Sequence, residues 1–194
     1  VSFGSIHLAP AIKDFNERYP DIHVDIFLCK HFHDLINQKI DISIRIGHLK
    51  DSNLFAKKLM HSKLTVCASP LYLEKRGYPK TPQDLAAHNC LRYIDADLND
   101  HWYFNQNHKI TAIKVNGRFC ANNAHTIKSA AVSGMGIALL PEYIVTKKIK
   151  AGKLIRLLDE YCTSALDIHA LYTSREHMAP KVRVLLDFLA DYFD

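Results

Sequence analysis

The stretch SAAVSGMGIALLP, residues 129–141, carries a Gly-x-Gly between an apolar helical pattern and an apolar run. Glycine-rich turns cradle phosphates when a strand leads into them and a helix follows, because the phosphate then meets free amides at the helix N-terminus. Here the order is reversed: a helix ends near Ser133 and a strand follows Gly136. We expect Gly134 to adopt the left-handed conformation that commonly ends helices. The stretch therefore predicts helix, turn and strand, and excludes a nucleotide site.

Working outward, helical and strand patterns alternate through the rest of the chain, which predicts an α/β fold. Helical spacing predicts a first helix from Leu8 to Tyr19, ending at Pro20 because the residue before a proline resists the helical conformation. Alternation of polar and apolar residues predicts a strand at Ile22–Leu28, and Ser69 is placed to cap a short helix. The remaining strands are expected at 41–46, 63–69, 89–94, 102–105, 109–121, 137–140, 154–158 and 168–174, and the remaining helices at 32–36, 124–133, 141–152 and 180–193.

Composition narrows the class of protein. The chain has 194 residues, 48% of them apolar, enough for one large domain or two small lobes. No apolar run approaches the ~18 residues that span a bilayer, and the first residue is Val1 rather than Met, as in a fragment or a mature form. Five scattered cysteines without a Cys-x-x-Cys pair indicate a reducing, cytoplasmic compartment. The net charge of +5 is spread along the chain, and the Lys-Lys pairs at Lys57 and Lys147 are short surface runs.

No catalytic or metal-binding constellation emerges from the motifs. His31 and His33 lie close together, but neither Cys nor His follows at the i+3 or i+4 spacing of a known metal motif. Ser5 and His7 belong to no Gly-x-Ser-x-Gly elbow, and no pair of carboxylates can be singled out as acid and base. We therefore expect neither an enzyme nor a bound metal or other cofactor.

Two predicted helix starts could hold a polar ligand. VSFGS, residues 1–5, is expected to precede the first helix and to offer the hydroxyls of Ser2 and Ser5 and the amides around Gly4. Asn122 and Asn123 stand at the start of the helix at 124–133. Ordinary helix capping explains each feature taken alone. Two such starts in different lobes could also converge on one ligand.

Long stretches of the chain resemble the effector-binding domain of LysR-type transcriptional regulators. The likeness covers nearly the whole chain in order and spacing. The signatures that together carry it are RIG-x-L-x-DS at 45–52, CASP-x-YL at 67–73, L-x-x-H-x-CLRY at 85–93 and G-x-GIALLP at 134–141. The resemblance implies a type II periplasmic-binding-protein-like fold, in which two α/β lobes are joined by two crossovers. Lobe I would comprise 1–88 and 175–194, and lobe II would comprise 89–174.

The resemblance also implies a ligand cleft between the lobes and an allosteric role. A small polar effector such as a carboxylate would bias one arrangement of the lobes and thereby alter how DNA-binding domains are presented. The expected effector-binding residues, carried over by position, are Ser2, Phe3, Gly4, Ser5, Ile46, Gly47, Trp102, Asn122 and Asn123.

The partners that the resemblance implies are a second regulatory domain and DNA. The domains would form a homodimer, with the first helix and the segment at Ile22–Leu28 against the partner's helix at 124–133, and a tetramer at full length. DNA would be reached only through an N-terminal winged helix-turn-helix domain, which nothing in this chain matches, and no membrane contact is expected. Family members also have a strand immediately before the segment matching VSFG. The alternative with the same fold is the solute-binding protein of a transporter.

Overall fold

The structure, a computed structural model, describes residues 1–28, 39–47, 49, 52–94, 100–106, 109–162, 165–173 and 178–193. The strands are β1 (Ser43–Ile46), β2 (Phe55–Ala68), β3 (Cys90–Tyr93), β4 (His101–Gln106), β5 (Lys109–Lys114), β6 (Cys120–Ala121), β7 (Ile137–Pro141), β8 (Ile155–Leu157) and β9 (Ala165–Tyr172). The helices are α1 (Ala9–Arg18), α2 (Pro70–Arg76), α3 (Ala124–Val132), α4 (Glu142–Lys150) and α5 (Pro180–Phe193). A π-helical turn (Gly4–Leu8) and two 3-10 turns (Pro82–Ala87 and Asp159–Tyr161) complete the described elements. None of the described helices combines the length and apolar character that crossing a membrane requires.

Helix ends that depend on local chemistry lie where the sequence predicts them. α1 ends at Arg18, just before Pro20, as expected. Ser69 caps α2, because its side-chain oxygen accepts a hydrogen bond from the Tyr72 amide. Gly77 follows that helix with a φ of +80°, a conformation that favours glycine. These predictions are confirmed.

The predicted strand at Ile22–Leu28 is wrong: residues 22–28 form no strand. Within the described part of the chain, the only backbone hydrogen bond of this segment to another backbone group joins the Ile22 amide to the Tyr19 carbonyl, at 3.1 Å. Alternating polarity marks a segment that suits a sheet, but a strand exists only where a neighbour completes the hydrogen-bond ladder. Phe27 is left 78% exposed. The helix predicted at 32–36 lies outside the described residues.

The chain forms two compact units: unit 1 is Val1–His61 with Leu166–Asp194, and unit 2 is Ser62–Ala165. These boundaries differ from the predicted lobes, 1–88 with 175–194 and 89–174. Residues 62–88 belong to unit 2 because α2 and the turn after it place Tyr72, Leu73 and Leu85 in that unit's core. The change in sequence character after His88 thus falls inside a unit. One boundary lies within β2 and the other at the start of β9.

Unit 1 combines strands with two helices that pack together. β1 and β9 pair antiparallel, with Arg45 opposite His169. α1 packs against α5, and the rings of Phe15 and Phe188 meet edge to face with centroids 5.2 Å apart. Phe15 and Ile168 are fully buried. α5 contributes Val182, Leu186 and Leu189 to this core.

Unit 2 is a mixed sheet with a separate hairpin. β2 pairs antiparallel with β7 and β8, β7 runs parallel to β3, and β3 runs parallel to β6. β4 and β5 form an antiparallel hairpin in which Trp102 lies opposite Ile113. One apolar core joins the inner face of the hairpin to β2, α2, β3 and β7.

The two glycines of residues 129–141 have separate structural roles. Gly134 has a φ of +83° after the end of α3, as predicted, and its amide donates to the Ala131 carbonyl. Gly136 lies so close to the Asn89 carbonyl that a Cβ there would stand 2.2 Å from the carbonyl oxygen. The second glycine is therefore required by a close approach of two backbones.

Candidate functional site

Residues 2–5 belong to a helix, so the expectation that they precede the first helix is wrong. Ser2 and Phe3 are already helical, and the Ser5 amide donates to the Val1 carbonyl at 3.2 Å. Phe3 is 2% exposed and stacks on the His7 ring with centroids 5.2 Å apart. Phe3 and the buried Gly4 therefore serve the core of unit 1, whereas Ser2 and Ser5 keep access to solvent.

The end of β1 supplies the second part of the predicted site in unit 1. Ile46 is 40% exposed. Gly47 has a φ of +93°, and its amide donates to the Asp167 carbonyl at 2.9 Å, which holds the turn against β9. A groove of about 370 Å³ in unit 1 is lined by Phe3, Gly4 and Ile46 together with residues 22–28 and α5. The structure thus brings three of the predicted residues of this unit together.

Asn123 is the N-cap of α3. Its side-chain oxygen accepts from the amides of His125, at 2.9 Å, and Thr126, at 3.2 Å, and its carbonyl accepts from Ile127. The amides of His125, Thr126 and Ile127 are therefore bound within the chain. The capping interpretation holds for Asn123, and the helix start offers few free amides to a ligand.

Asn122 presents a different arrangement. Its carbonyl accepts a hydrogen bond from the Tyr93 hydroxyl at 2.9 Å, and the neighbouring Ala121 carbonyl accepts from the Ile94 amide at 2.9 Å. The Asn122 side chain is exposed and has no hydrogen-bond partner among the residues that the structure describes. The backbone is thus fixed while the amide group is free to bind. Sequence reasoning missed Tyr93 as a support, because nothing local links it to a residue 29 positions away.

Two basic side chains near the start of α3 were also missed. Lys128 Nζ donates to His125 Nδ1 at 3.2 Å. Burial lowers the pKa of His125, and the charge of Lys128 lowers it further. Burial also lowers the pKa of Lys128, with a smaller contribution from Lys148. An anion bound at this end of α3 would raise the pKa of both His125 and Lys128.

Trp102 lies inside unit 2. It is 6% exposed and packs in the apolar core with residues such as Phe104 and Leu158. Trp102 therefore stabilises the core of unit 2, and this role does not depend on ligand binding. The histidines His31 and His33 lie outside the described residues, and the described residues contain no group of three His, Cys, Asp or Glu side chains arranged to hold a metal.

The architecture and its signatures match one family throughout. The LysR substrate binding domain model matches residues 1–194, and the chain belongs to this family. The regulatory domain of CrgA from Neisseria meningitidis superimposes with a TM-score of 0.88 at 34% identity, over 99% of this chain and 94% of that one. The resemblance seen in the sequence and the type II periplasmic-binding-protein-like fold are confirmed.

Two relatives place the domain in context. The HTH-type transcriptional regulator CrgA of Neisseria meningitidis is 36% identical over 185 residues, which are 95% of this chain and 62% of that protein. The HTH-type transcriptional activator TtdR of Escherichia coli is 33% identical over 189 residues, 97% of this chain and 61% of that protein. The chain thus spans about three fifths of the length of these regulators. Both are named as transcriptional regulators, in agreement with the expectation that the chain is not an enzyme.

Proposed function

We propose that this chain is the sensor of a bacterial LysR-type regulator and binds a small polar metabolite with groups from both units. Unit 1 contributes the hydroxyls of Ser2 and Ser5 and the turn at Ile46 and Gly47, and unit 2 contributes the Asn122 amide. The observation that carries the proposal is the fixed backbone and free side chain of Asn122. A preorganised amide of this kind binds without the entropic cost of ordering a loop.

The chemistry around α3 favours an anionic effector such as a carboxylate. Lys128 and His125 lie on the same helix as the candidate amide, and both are partly buried. An amide and two hydroxyls supply the neutral hydrogen bonds that orient a small polar molecule in such sites. Phe3, Gly4, Trp102 and Asn123 enter the proposal as the packing and capping residues that hold these groups in place.

The regulatory step follows from differential binding. An effector that binds one arrangement of the units more tightly shifts the population toward it, and the size of the response equals the difference in binding free energy. We place this event in a homodimer of regulatory domains, assembled as a tetramer at full length, with sequence-specific DNA recognition in a separate domain. The transporter alternative has no observation in its favour, since the relatives compared above are transcriptional regulators.

A thermal-shift screen of organic acids tests the proposal. A ligand at ~100 times its dissociation constant should raise the free energy of unfolding by ~2.7 kcal/mol. With a ligand found, Asn122→Ala and Ser2→Ala should each weaken the shift, whereas Asn53→Ala, which alters another exposed asparagine, should leave it intact. An unchanged response in both site variants would show that the site is elsewhere.

A further inference from the structure

Four lysines of unit 2 gather around the C-terminal end of α4. Lys147, Lys148 and Lys150 lie in its last turn, and Lys153 follows the turn after it. We refer to these residues as the lysine cluster. The sequence pattern alone indicates a lysine-ended helix and, at Lys147, a short surface run.

Backbone contacts bring the cluster together. The Lys153 amide donates to the Lys148 carbonyl at 2.9 Å, so the chain folds back on the helix end. Lys147, Lys150 and Lys153 are exposed. The four lysines therefore share one helix end.

No member of the lysine cluster forms an ion pair with a residue that the structure describes, and the acidic residue of α4, Glu142, pairs with Arg156. In unit 1, by contrast, Lys57, Lys58 and Lys181 each have an aspartate partner. The helix dipole favours cations at a helix C-terminus by only about 0.3–1 kcal/mol each, and it leaves the lysine charges without an acidic partner.

The charge of the molecule is divided unequally between the units. Residues 62–165 contain 14 Lys or Arg and 8 Asp or Glu, a formal charge of +6, which leaves −1 for unit 1. Unit 2 therefore carries all of the excess positive charge in the net charge of +5. A clustered, unpaired set of lysines attracts polyanions and releases their counterions.

We propose that the lysine cluster binds the phosphate backbone of duplex DNA without reading its sequence. The inference rests on the proposed function in one respect: a domain that belongs to a DNA-bound regulator is held next to DNA. A duplex presents one negative charge per about 1.7 Å of its axis, a density that matches closely spaced lysines better than a folded acidic protein does. Sequence recognition stays with the separate DNA-binding domain, and the cluster adds a nonspecific contact beside it.

The test measures binding of this chain to a fluorescent 24-bp duplex of arbitrary sequence by anisotropy, from 50 to 200 mM KCl. Lys147→Gln/Lys150→Gln/Lys153→Gln is compared with Lys63→Gln/Lys75→Gln/Lys80→Gln, which removes the same charge from exposed lysines of unit 2 outside α3 and α4. Four phosphate contacts predict a loss of affinity of about 150-fold across this salt range, and a single remaining contact predicts about 3.5-fold. The cluster variant should show the small salt dependence, and the control should resemble the parent.

Each other outcome overturns the proposal. Equal salt dependence in the two variants, or no binding by the parent at 50 mM KCl, would show that the cluster is not a DNA contact. Binding of poly-glutamate as tight as that of DNA would identify an acidic protein surface as the partner. Sedimentation of both variants at the assay concentration shows whether self-association changes, and a change confined to the cluster variant would assign the lysines to a contact between copies. The thermal-shift screen does not involve DNA, so the effector proposal stands or fails separately.

Discussion

At the scale of single residues, Asn89 joins segments that are distant in the sequence. Its side chain donates to the Met135 carbonyl at 2.7 Å and accepts from the Arg118 amide at 2.9 Å, and its own amide donates to the Tyr72 hydroxyl. Nδ1 of the neighbouring His88 is hydrogen-bonded to the same hydroxyl, at 3.1 Å. Gly136 leaves room for the Asn89 carbonyl. The family signatures at 67–73, 85–93 and 134–141 therefore describe one network rather than separate motifs.

Replacing Asn89 with Ala should lower the free energy of unfolding by about 1–3 kcal/mol, because two backbone groups lose their hydrogen-bond partner. Urea denaturation of the 194-residue chain measures the change. Asn116→Ala alters an exposed asparagine shortly before Arg118 in the chain. Its free energy of unfolding should stay within about 0.5 kcal/mol of the parent's. Equal stability of the parent and Asn89→Ala would refute the network.

At the scale of elements, the start of α3 separates two roles that the sequence could not distinguish. Asn122 and Asn123 are adjacent and chemically identical, and propensity assigns either to a cap. The structure uses Asn123 for the cap and leaves the Asn122 side chain free, because parallel pairing of β3 with β6 and the Tyr93 hydroxyl fix the backbone there. A contact between residues 93 and 122 depends on the sheet, and a local pattern cannot reveal it.

The cap assignment predicts that Asn123→Ala destabilises the chain by about 1 kcal/mol, with most of the loss restored in Asn123→Ser. Both are measured by urea denaturation. The serine variant should also keep the response to any confirmed ligand, since its hydroxyl can accept from the same amides. A ligand response that disappears in Asn123→Ser while stability is retained would make this residue a ligand contact.

Other elements show where sequence reasoning succeeds. Pro20, Ser69 and Gly134 act on neighbouring residues, and the helix ends that they predict are confirmed. The segment at Ile22–Leu28 has the right pattern but no strand, because pairing depends on another part of a sheet. The division into units differs from the predicted boundary at residue 88, since packing places α2 in the core of unit 2.

At the scale of the whole molecule, three exposed apolar residues follow one another where a partner domain is expected. Ile26, Phe27 and Leu28 are 38%, 78% and 48% exposed in succession. Monomeric proteins rarely leave such a run in contact with water. The run supports the proposed dimer, in which this segment and α1 meet the partner's α3.

Phe27→Lys should therefore weaken self-association. Burial of a phenylalanine side chain contributes about 1.5–3 kcal/mol, so the dimer dissociation constant should rise about 10- to 150-fold. Sedimentation equilibrium measures the constant. Tyr78→Lys replaces an aromatic residue that is 56% exposed in unit 2, and it should leave the constant unchanged. Loss of the dimer in the Tyr78 variant alone would relocate the interface.

Unit 1 brings together the two places where its chain is interrupted, because His61 Nδ1 lies 2.8 Å from Asp167 Oδ1. Unit 2 is thus organised as an insertion into unit 1, whose entry and exit points are neighbours. An insertion with adjacent ends can be exchanged for another domain, or for a short turn, without moving the termini of its host. Modular replacement of residues 62–165 would therefore keep unit 1 contiguous in space.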